Sequence, residues 1–491
     1  MVQKGDSMAR ERKLTAADLI DEGYSYRTPQ EALRNHIITL IERYEGEGMN
    51  HSEALSKLFP NTILDTEVLQ ELVSALISGS HVLLFGPSGT GKTTLAKDVW
   101  NLFPKEIYAV EECPVQDDPL SVVDPEVSRT HPPCPICQSR YWENGQPAAE
   151  PERVPVVRKY LKEGYGFARV QGSSEVFPDH LTGVINIHKL EELGDPTSPL
   201  ILEPGKLLQA NRGVLLVDEV GKLPLGTQNV LLQALQEGIV TPAKSRETFP
   251  AKFVAITTSN LRDLDNITEP LNDRLSNVYV EWSREHSNNL KIAYLSEVLR
   301  IKGPAYPRIY LEAAVYLLEN WRELGVDVPE LSEVGSNRTM MDIVSRGWAY
   351  AQMEGRWRVE LKDFRRGARD ALYGRIRARG GDSFLRNEEI VSTFLKENLK
   401  EAIEEGYRTW WCSFHTERLG SSPALEMEVK EFLRSALKGK GGERTPAVER
   451  FLQYLKRVEP SASMLDEESL IRLAAETSEE VSRGENIPCK G

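Results

Sequence analysis

The sequence predicts an α/β fold with a parallel sheet and additional helical regions at both ends, on three observations. In the first, the short apolar run Val82 to Phe85 leads into Gly86-Pro87-Ser88-Gly89-Thr90-Gly91-Lys92-Thr93-Thr94, which fits G-x-x-x-x-G-K-[ST]. Beyond Lys92, the residues Leu95, Val99, Leu102 and Phe103 fall on one helical face until Pro104. Strand, glycine loop and helix stand in the order that lets backbone N–H groups and a helix N-terminus wrap a polyphosphate. Lys92 is placed to reach the β- and γ-phosphates and the Thr93 hydroxyl to ligand Mg²⁺. The second observation is the apolar strand Val214-Leu215-Leu216-Val217 ending in Asp218-Glu219. It carries two carboxylates to a strand's C-terminal end, where ligands bind in open α/β sheets. Asp218 is expected in the Mg²⁺ shell and Glu219 is expected to polarise the attacking water. Third, the buried strand Phe253-Val254-Ala255-Ile256 runs into Thr257-Thr258-Ser259-Asn260, which puts Asn260 between the phosphates and that water. Together these describe a site for a nucleoside triphosphate with Mg²⁺.

The chain of 491 residues suggests about three domains, and 40% hydrophobic residues suffice for their cores. A formal charge of −14 and a pI near 5.3 speak against a general nucleic-acid binder, which carries a basic footprint. Five cysteines in such a length make no disulfide framework. Residues 1 to 22 are polar and lack the apolar stretch of a signal peptide, and no apolar run approaches the roughly 18 residues of a spanning helix. A soluble, cytoplasmic protein is expected.

Residues 1–75 read as a helical N-terminal region outside the nucleotide core, either a docking surface or a packed cap. Leu33, Ile37, Ile38, Leu40 and Ile41 form one stripe, and Val68, Leu69, Leu72, Val73, Leu76 and Ile77 another. The core is expected over residues 76–285, with a proline-rich, irregular insertion at about 106–165. That insertion holds Cys113 and His131-Pro132-Pro133-Cys134-Pro135-Ile136-Cys137, half of a zinc knuckle. It reads either as a structural Zn²⁺ site of Cys113, His131, Cys134 and Cys137 or as a loop of free thiols, since only one C-x-x-C pair is present. Gly166 to Gly172 reads as a strand, Leu202 to Gly213 as a turn and short helix, and Gly238 to Pro250 as a β-hairpin. Arg274, before the strand Val278-Tyr279-Val280, is by position alone either a surface arginine or a functional one.

From about residue 286 the pattern is helical. Residues 286–380 read as a lid, with stripes through Leu290, Tyr294, Val298 and Leu299, then Val315, Leu317, Leu318 and Trp321. Ser336-Asn337-Arg338-Thr339 opens a further helix, with Ser or Asn as its N-cap. Arg365, Arg366, Arg369, Arg375, Arg377 and Arg379 form a basic run, a solvated face or a contact surface for an acidic partner. Residues 381–491 read as a helical C-terminal region, with Trp410, Trp411 and Phe414 packing a small core.

The P-loop, Asp218-Glu219, Asn260, Arg274 and Arg338 together resemble an AAA+ ATPase with its helical lid. The phrase Glu203-Pro204-Gly205-Lys206-Leu207-Leu208-Gln209-Ala210-Asn211-Arg212-Gly213 leading into Val217-Asp218-Glu219 is more specific. It is similar to the ATPase subunit of magnesium chelatase and the related MoxR group, as are the cysteine-containing insertion and Leu271-Asn272-Asp273-Arg274-Leu275. The resemblance covers about residues 76–380. It implies a sheet of order 5-1-4-3-2, Asn260 as polar sensor, Arg274 as a finger inserted into a neighbour's site, and Arg338 as a lid arginine on the phosphates. It also implies an insertion within 180–205, a ring that is usually hexameric, and a partner with a von Willebrand A domain. The terminal regions fall outside that family core, and Asp-Arg-Leu stands where Asp-Arg-Phe is usual.

A ring ATPase that remodels a partner protein or drives chelatase-like metal insertion is the leading reading. A nucleic-acid motor of the same insertion-bearing clade is the alternative, with Lys244 and Arg246 of the hairpin as pore candidates and the acidic balance against it. A scaffold that binds ATP without turnover is opposed by the presence of Glu219 and Arg274.

Overall fold

Five parallel strands form the centre of the protein: β1 (His81–Gly86), β2 (Gly166–Gln171), β3 (Gly213–Asp218), β4 (Phe253–Asn260) and β5 (Leu275–Tyr279). Their spatial order is β5-β1-β4-β3-β2, the expected 5-1-4-3-2, with the two-residue piece Lys162–Glu163 beyond β2. The computed structural model describes residues 14–195, 198–242, 247–327, 336–375, 383–414, 423–439 and 442–482. Lys244, Arg246, Arg377 and Arg379 lie outside the described residues. The register sets Gly86 of β1 beside Asn260 of β4, and Asp218 of β3 beside Gln171 of β2. The phosphate loop, Asp218 and Asn260 therefore share one end of the sheet. Strand β4 runs four residues beyond the apolar stretch that marks it in the sequence. Its tail, Thr257 to Ser259, is buried and pairs along β1, and the Thr257 hydroxyl donates to the Val82 carbonyl at 3.1 Å.

Alternation along the strands gives the sheet two buried faces. Val82, Leu84, Val214, Leu216, Val254 and Ile256 point to one of them. Three helices cover it: α1 (Pro29–Gly46), α2 (Thr66–Ser78) and α3 (Lys92–Leu102). Helix α1 starts in a capping box, Thr28 with Glu31, and has proline at its first position. Leu33 and Ile37 of α1 and Leu69 and Leu72 of α2 are almost fully buried, while Ile38 is exposed. Gln30 of α1 also donates its amide to the Phe253 carbonyl at 3.0 Å. The described N-terminal helices are thus packed onto the sheet.

The second face, with Leu83, Ala168, Val170, Leu215, Val217 and Ala255, is covered by helix α4 (Leu225–Glu237) and by the insertion. The insertion is more regular than its proline content suggests. Glu106–Val110 pairs antiparallel with Val156–Tyr160, which closes its two ends, and three short helices lie between them. A second excursion, Gly183–Ile185 paired antiparallel with Leu202–Pro204 around the helix Ile187–Leu193, falls inside 180–205. Ile239–Val240 pairs with Phe249–Pro250 as the expected hairpin.

The chain forms two compact units, Met1–Glu281 and Trp282–Gly491. Among the described residues the second is built of helices, including Arg308–Asp327, α5 (Asn337–Met353), Leu361–Tyr373 and Pro446–Val458. Ser336 caps α5. Trp410, Trp411 and Phe414 are buried, with Phe414 edge-on to Phe451 at 5.0 Å. Of the basic run, Arg366 stacks over Tyr350 and pairs with Glu354, and Arg369 pairs with Asp370.

One ion cluster in this unit sets a pH dependence. His286 lies 2.8 Å from the buried Glu312 and 3.4 Å from Glu319, and hydrogen bonds to these carboxylates raise its pKa from 6.5 to about 10. Arg308 is the other cation on Glu312, and Asn289 donates to Glu319. Because the folded state holds the proton more tightly, the stabilisation is fully present below pH 6.5 and is lost as the pH rises through about 10. Thermal melts between pH 6.5 and 10 are expected to show falling stability, with a shallower slope in His286→Gln. An identical slope in the variant would remove this cluster as the cause.

Candidate nucleotide site

The phosphate loop joins β1 to α3. Gly86 has φ +149°, and a Cβ there would stand 2.2 Å from the Val280 carbonyl oxygen, so only glycine passes between β1 and the chain beyond β5. Gly91, at φ +98°, is the N-cap of α3, whose first backbone N–H groups have no partner within the helix. Lys92 is buried, and its ammonium donates to the carbonyls of Gly86 at 2.9 Å and Pro87 at 2.5 Å. Pro87, Ser88, Gly89 and Thr90 complete the turn, with the Thr90 hydroxyl on the Pro87 carbonyl at 3.2 Å, and Thr94 lies in the first turn of α3.

Asp218 and Glu219 face this loop from β3. The Thr93 hydroxyl donates to Asp218 Oδ1 at 2.9 Å, which brings together the two residues expected to hold Mg²⁺. A hydroxyl and a nearly buried carboxylate are hard oxygen donors suited to that ion. Thr258 donates to the same oxygen at 2.6 Å, and Arg169 reaches Oδ2 at 3.1 Å. Glu219 sits in the left-handed region, φ 57° and ψ 52°, and its N–H is held by the Thr258 hydroxyl at 3.0 Å. Asn260 Nδ2 donates to Glu219 Oε1 at 3.3 Å, Lys222 Nζ lies 2.9 Å from that oxygen, and Gln171 Nε2 donates to Oε2 at 3.1 Å. Glu219 thereby raises the pKa of the Lys222 ammonium through its hydrogen bond and charge.

Arg274 is exposed and stands just before β5, whose first residue Leu275 is level with His81 at the start of β1. The phosphate loop leaves the other end of β1. At about 3.3 Å per residue, the length of β1 puts roughly 16 Å between those levels. Arg338 is exposed in the first turn of α5, in the second unit.

The cysteines of the insertion converge, but not with the expected histidine. Cys113, Cys134 and Cys137 are buried, and their sulfurs lie with a carboxylate oxygen of Asp117 within 4.8 Å of one another. His131 is drawn elsewhere: its ring lies against Tyr26, centroids 4.4 Å apart, and its Nδ1 meets the Lys252 ammonium. Burial and that ammonium lower its pKa.

Sequence reading passed over Thr258, Arg169, Gln171 and Lys222. Gln171 and Thr258 are polar residues at or near the end of an apolar strand, whereas Arg169 lies within β2 and Lys222 in the turn after β3. Gly172 was also legible only in space: a Cβ there would lie 2.0 Å from the Glu219 carbonyl oxygen. The N-terminal segment reaches the site as well. Asn61 and Thr62 bond the buried Asp98 of α3, and Thr62 is the neighbour of Gly91.

Comparison with known proteins agrees with this geometry. The family model described as the PrkA AAA domain matches residues 78–299. A magnesium-chelatase subunit ChlI homolog of Methanocaldococcus jannaschii is 27% identical over 345 residues, 65% of this chain and 86% of that one. The chloroplastic subunit ChlI-1 of Arabidopsis thaliana is 30% identical over 195 residues, and the match spans 39% of each chain. Against the Chlamydomonas reinhardtii subunit, the 29% identity spans 37% of that relative's length. Among solved structures, a magnesium chelatase BchI–BchD complex aligns with a TM-score of 0.31 at 22% identity, covering 65% of this chain and 94% of that one. An ATPase-like structure from Cytophaga hutchinsonii aligns with a TM-score of 0.30 at 16% identity, covering 75% and 96%. With the glycine loop, the paired carboxylates and the 5-1-4-3-2 sheet, the matches to the family model and the chelatase subunits support an AAA+ ATPase similar to the magnesium chelatase ATPase subunits.

Proposed function

We propose that this chain is a Mg²⁺-dependent, ring-forming ATPase that couples ATP hydrolysis to remodelling a partner protein, with chelatase-like metal insertion as one form of that work. The observation that carries the reading is the double pairing at one end of the sheet, Thr93 with Asp218 and Asn260 with Glu219. Residues 76–285 serve as the nucleotide core, 286–380 as a helical lid that carries Arg338, and 1–75 and 381–491 as flanking helical regions. The protein works in the cytoplasm, as a homo-oligomer of six, on a partner with a von Willebrand A domain. None of the described helices is long and apolar enough to cross a membrane.

The loop N–H groups and Lys92 bind the β- and γ-phosphates. Thr93 and Asp218 would hold Mg²⁺, which when bound supplies charge that the transferring phosphoryl group needs. Glu219 accepts the proton of the attacking water while Asn260 and Gln171 fix its carboxylate. Arg274 of a neighbouring subunit stabilises the charge that develops on the phosphoryl oxygens.

Lys92→Ala tests the nucleotide reading directly. Removing a buried charge from its phosphate is expected to cost about 2–5 kcal/mol, or about 30- to several-thousand-fold in Kd. Titration with a fluorescent ATP analogue reads that loss. Parent-like affinity in the variant would move the phosphates away from this loop.

A further inference from the structure

The insertion buries four groups that can carry negative charge at one point. Cys113, Cys134 and Cys137 are at most 3% exposed, and so is Asp117. The Cys134 N–H donates to Asp117 Oδ2 at 2.7 Å. Among the described residues no lysine or arginine ion-pairs with Asp117, and an uncompensated buried carboxylate is costly. Three thiols beside it deepen that cost whenever one ionises. A cation at their centre would offset it.

The spacing selects the kind of cation. Cys113 Sγ and Cys134 Sγ are 3.8 Å apart. Four ligands around one zinc, with Zn–S of about 2.3 Å, place their sulfurs about 3.8 Å apart on a tetrahedron. An iron–sulfur cluster spreads its cysteines across several metal atoms and so needs a wider cage. The backbone also supports bound thiolates. The Asp117 N–H points at Cys113 Sγ at 3.2 Å, across a loop with Glu112 and Gln116 in the left-handed region. Cys134 is the N-cap of the helix Pro135–Tyr141, and Cys137 lies one turn inside it.

We propose that Cys113, Asp117, Cys134 and Cys137 form a tetrahedral site for one structural zinc ion, with Asp117 as the fourth ligand instead of His131. The ion joins the loop after Glu106–Val110 to the helix Pro135–Tyr141, and so fixes the insertion on the second face of the sheet. The inference is independent of the nucleotide reading, because no ligand belongs to the phosphate site.

Elemental analysis of the full chain, purified without chelators, is expected to give about one zinc per chain. Chelation under reducing conditions is expected to lower the melting temperature, and added zinc to restore it. Co²⁺ bound to the stripped parent chain should show the sulfur-to-metal charge-transfer and intense visible bands of a tetrahedral thiolate site, with no substitution required. Asp117→Ala is expected to weaken zinc binding by about 10–100-fold or more, while His131→Ala keeps parent affinity and spectrum. Cys137→Ser should lose the metal, and ATP turnover should persist. Folded parent chain that contains no zinc and takes up none overturns the site, as does stoichiometric iron in its place. Loss of zinc in His131→Ala with full retention in Asp117→Ala overturns the ligand set.

Discussion

Arg274→Ala is expected to bind ATP as the parent does and to lose about 10³–10⁵-fold in turnover, the usual worth of an arginine supplied in trans to phosphoryl transfer. The reason is its position. Arg274 precedes β5 at the level of His81, while the phosphate loop begins at Gly86, the opposite end of β1. Its side chain cannot span a strand length back to its own Lys92, but it is exposed beside an edge strand, where the proposed ring would bring the next subunit. Hydrolysis per subunit should therefore rise with protein concentration as rings assemble. Mixing Arg274→Ala with Lys92→Ala should recover part of the activity, since one interface then pairs an intact loop with an intact arginine. A monomer that hydrolyses ATP at full rate ends this account. So do mixed variants that stay inactive after demonstrated co-assembly, if Arg274→Ala alone is fully active.

The second large effect belongs to Glu219→Gln. Thr93, Asp218 and Lys92 are untouched by this change, so nucleotide should bind and stay. The water loses its proton acceptor, which is expected to cost about 10²–10⁴-fold in single-turnover hydrolysis. Glutamine also gives up the charge that pairs with Lys222 and keeps one acceptor oxygen, which can take the hydrogen bond of Asn260 or of Gln171. The diagnostic result is ATP trapped intact on the variant after gel filtration. Cleavage at the parent rate would transfer the role of base to another group.

The nucleotide site was legible because its signals are local. A glycine loop between an apolar run and a 3.6-residue stripe states strand, turn and helix within about twenty residues. The strand ends at Asp218 and Asn260 are equally local, and the resemblance to AAA+ ATPases that they carry implied the sheet order. What stayed hidden depends on partners distant in sequence. Glu106–Val110 finds its mate at Val156–Tyr160, too far along the chain for a hairpin signal. Thr258 gains its role only because β4 lies beside β3, which brings its hydroxyl to Asp218. His131 looked like a ligand from its spacing to Cys134, yet Tyr26 and Lys252 hold its ring, and Asp117 takes the place beside the sulfurs. Periodicity also placed the stripes of α1 and α2, but it could not say that the surface they cover is the sheet itself.

The left-handed backbone of Glu219 has an evolutionary corollary. A non-glycine residue in that conformation costs about 1–3 kcal/mol, and here Thr258 and the close passage of Gly172 hold it in place. Asparagine or glycine would sit there with less strain, and neither can take a proton from water. Selection for robustness alone therefore pushes this position away from catalysis. Lineages that retain the fold but no longer need turnover can grow sturdier by a single codon change, whereas a working enzyme must keep a residue that its own backbone disfavours.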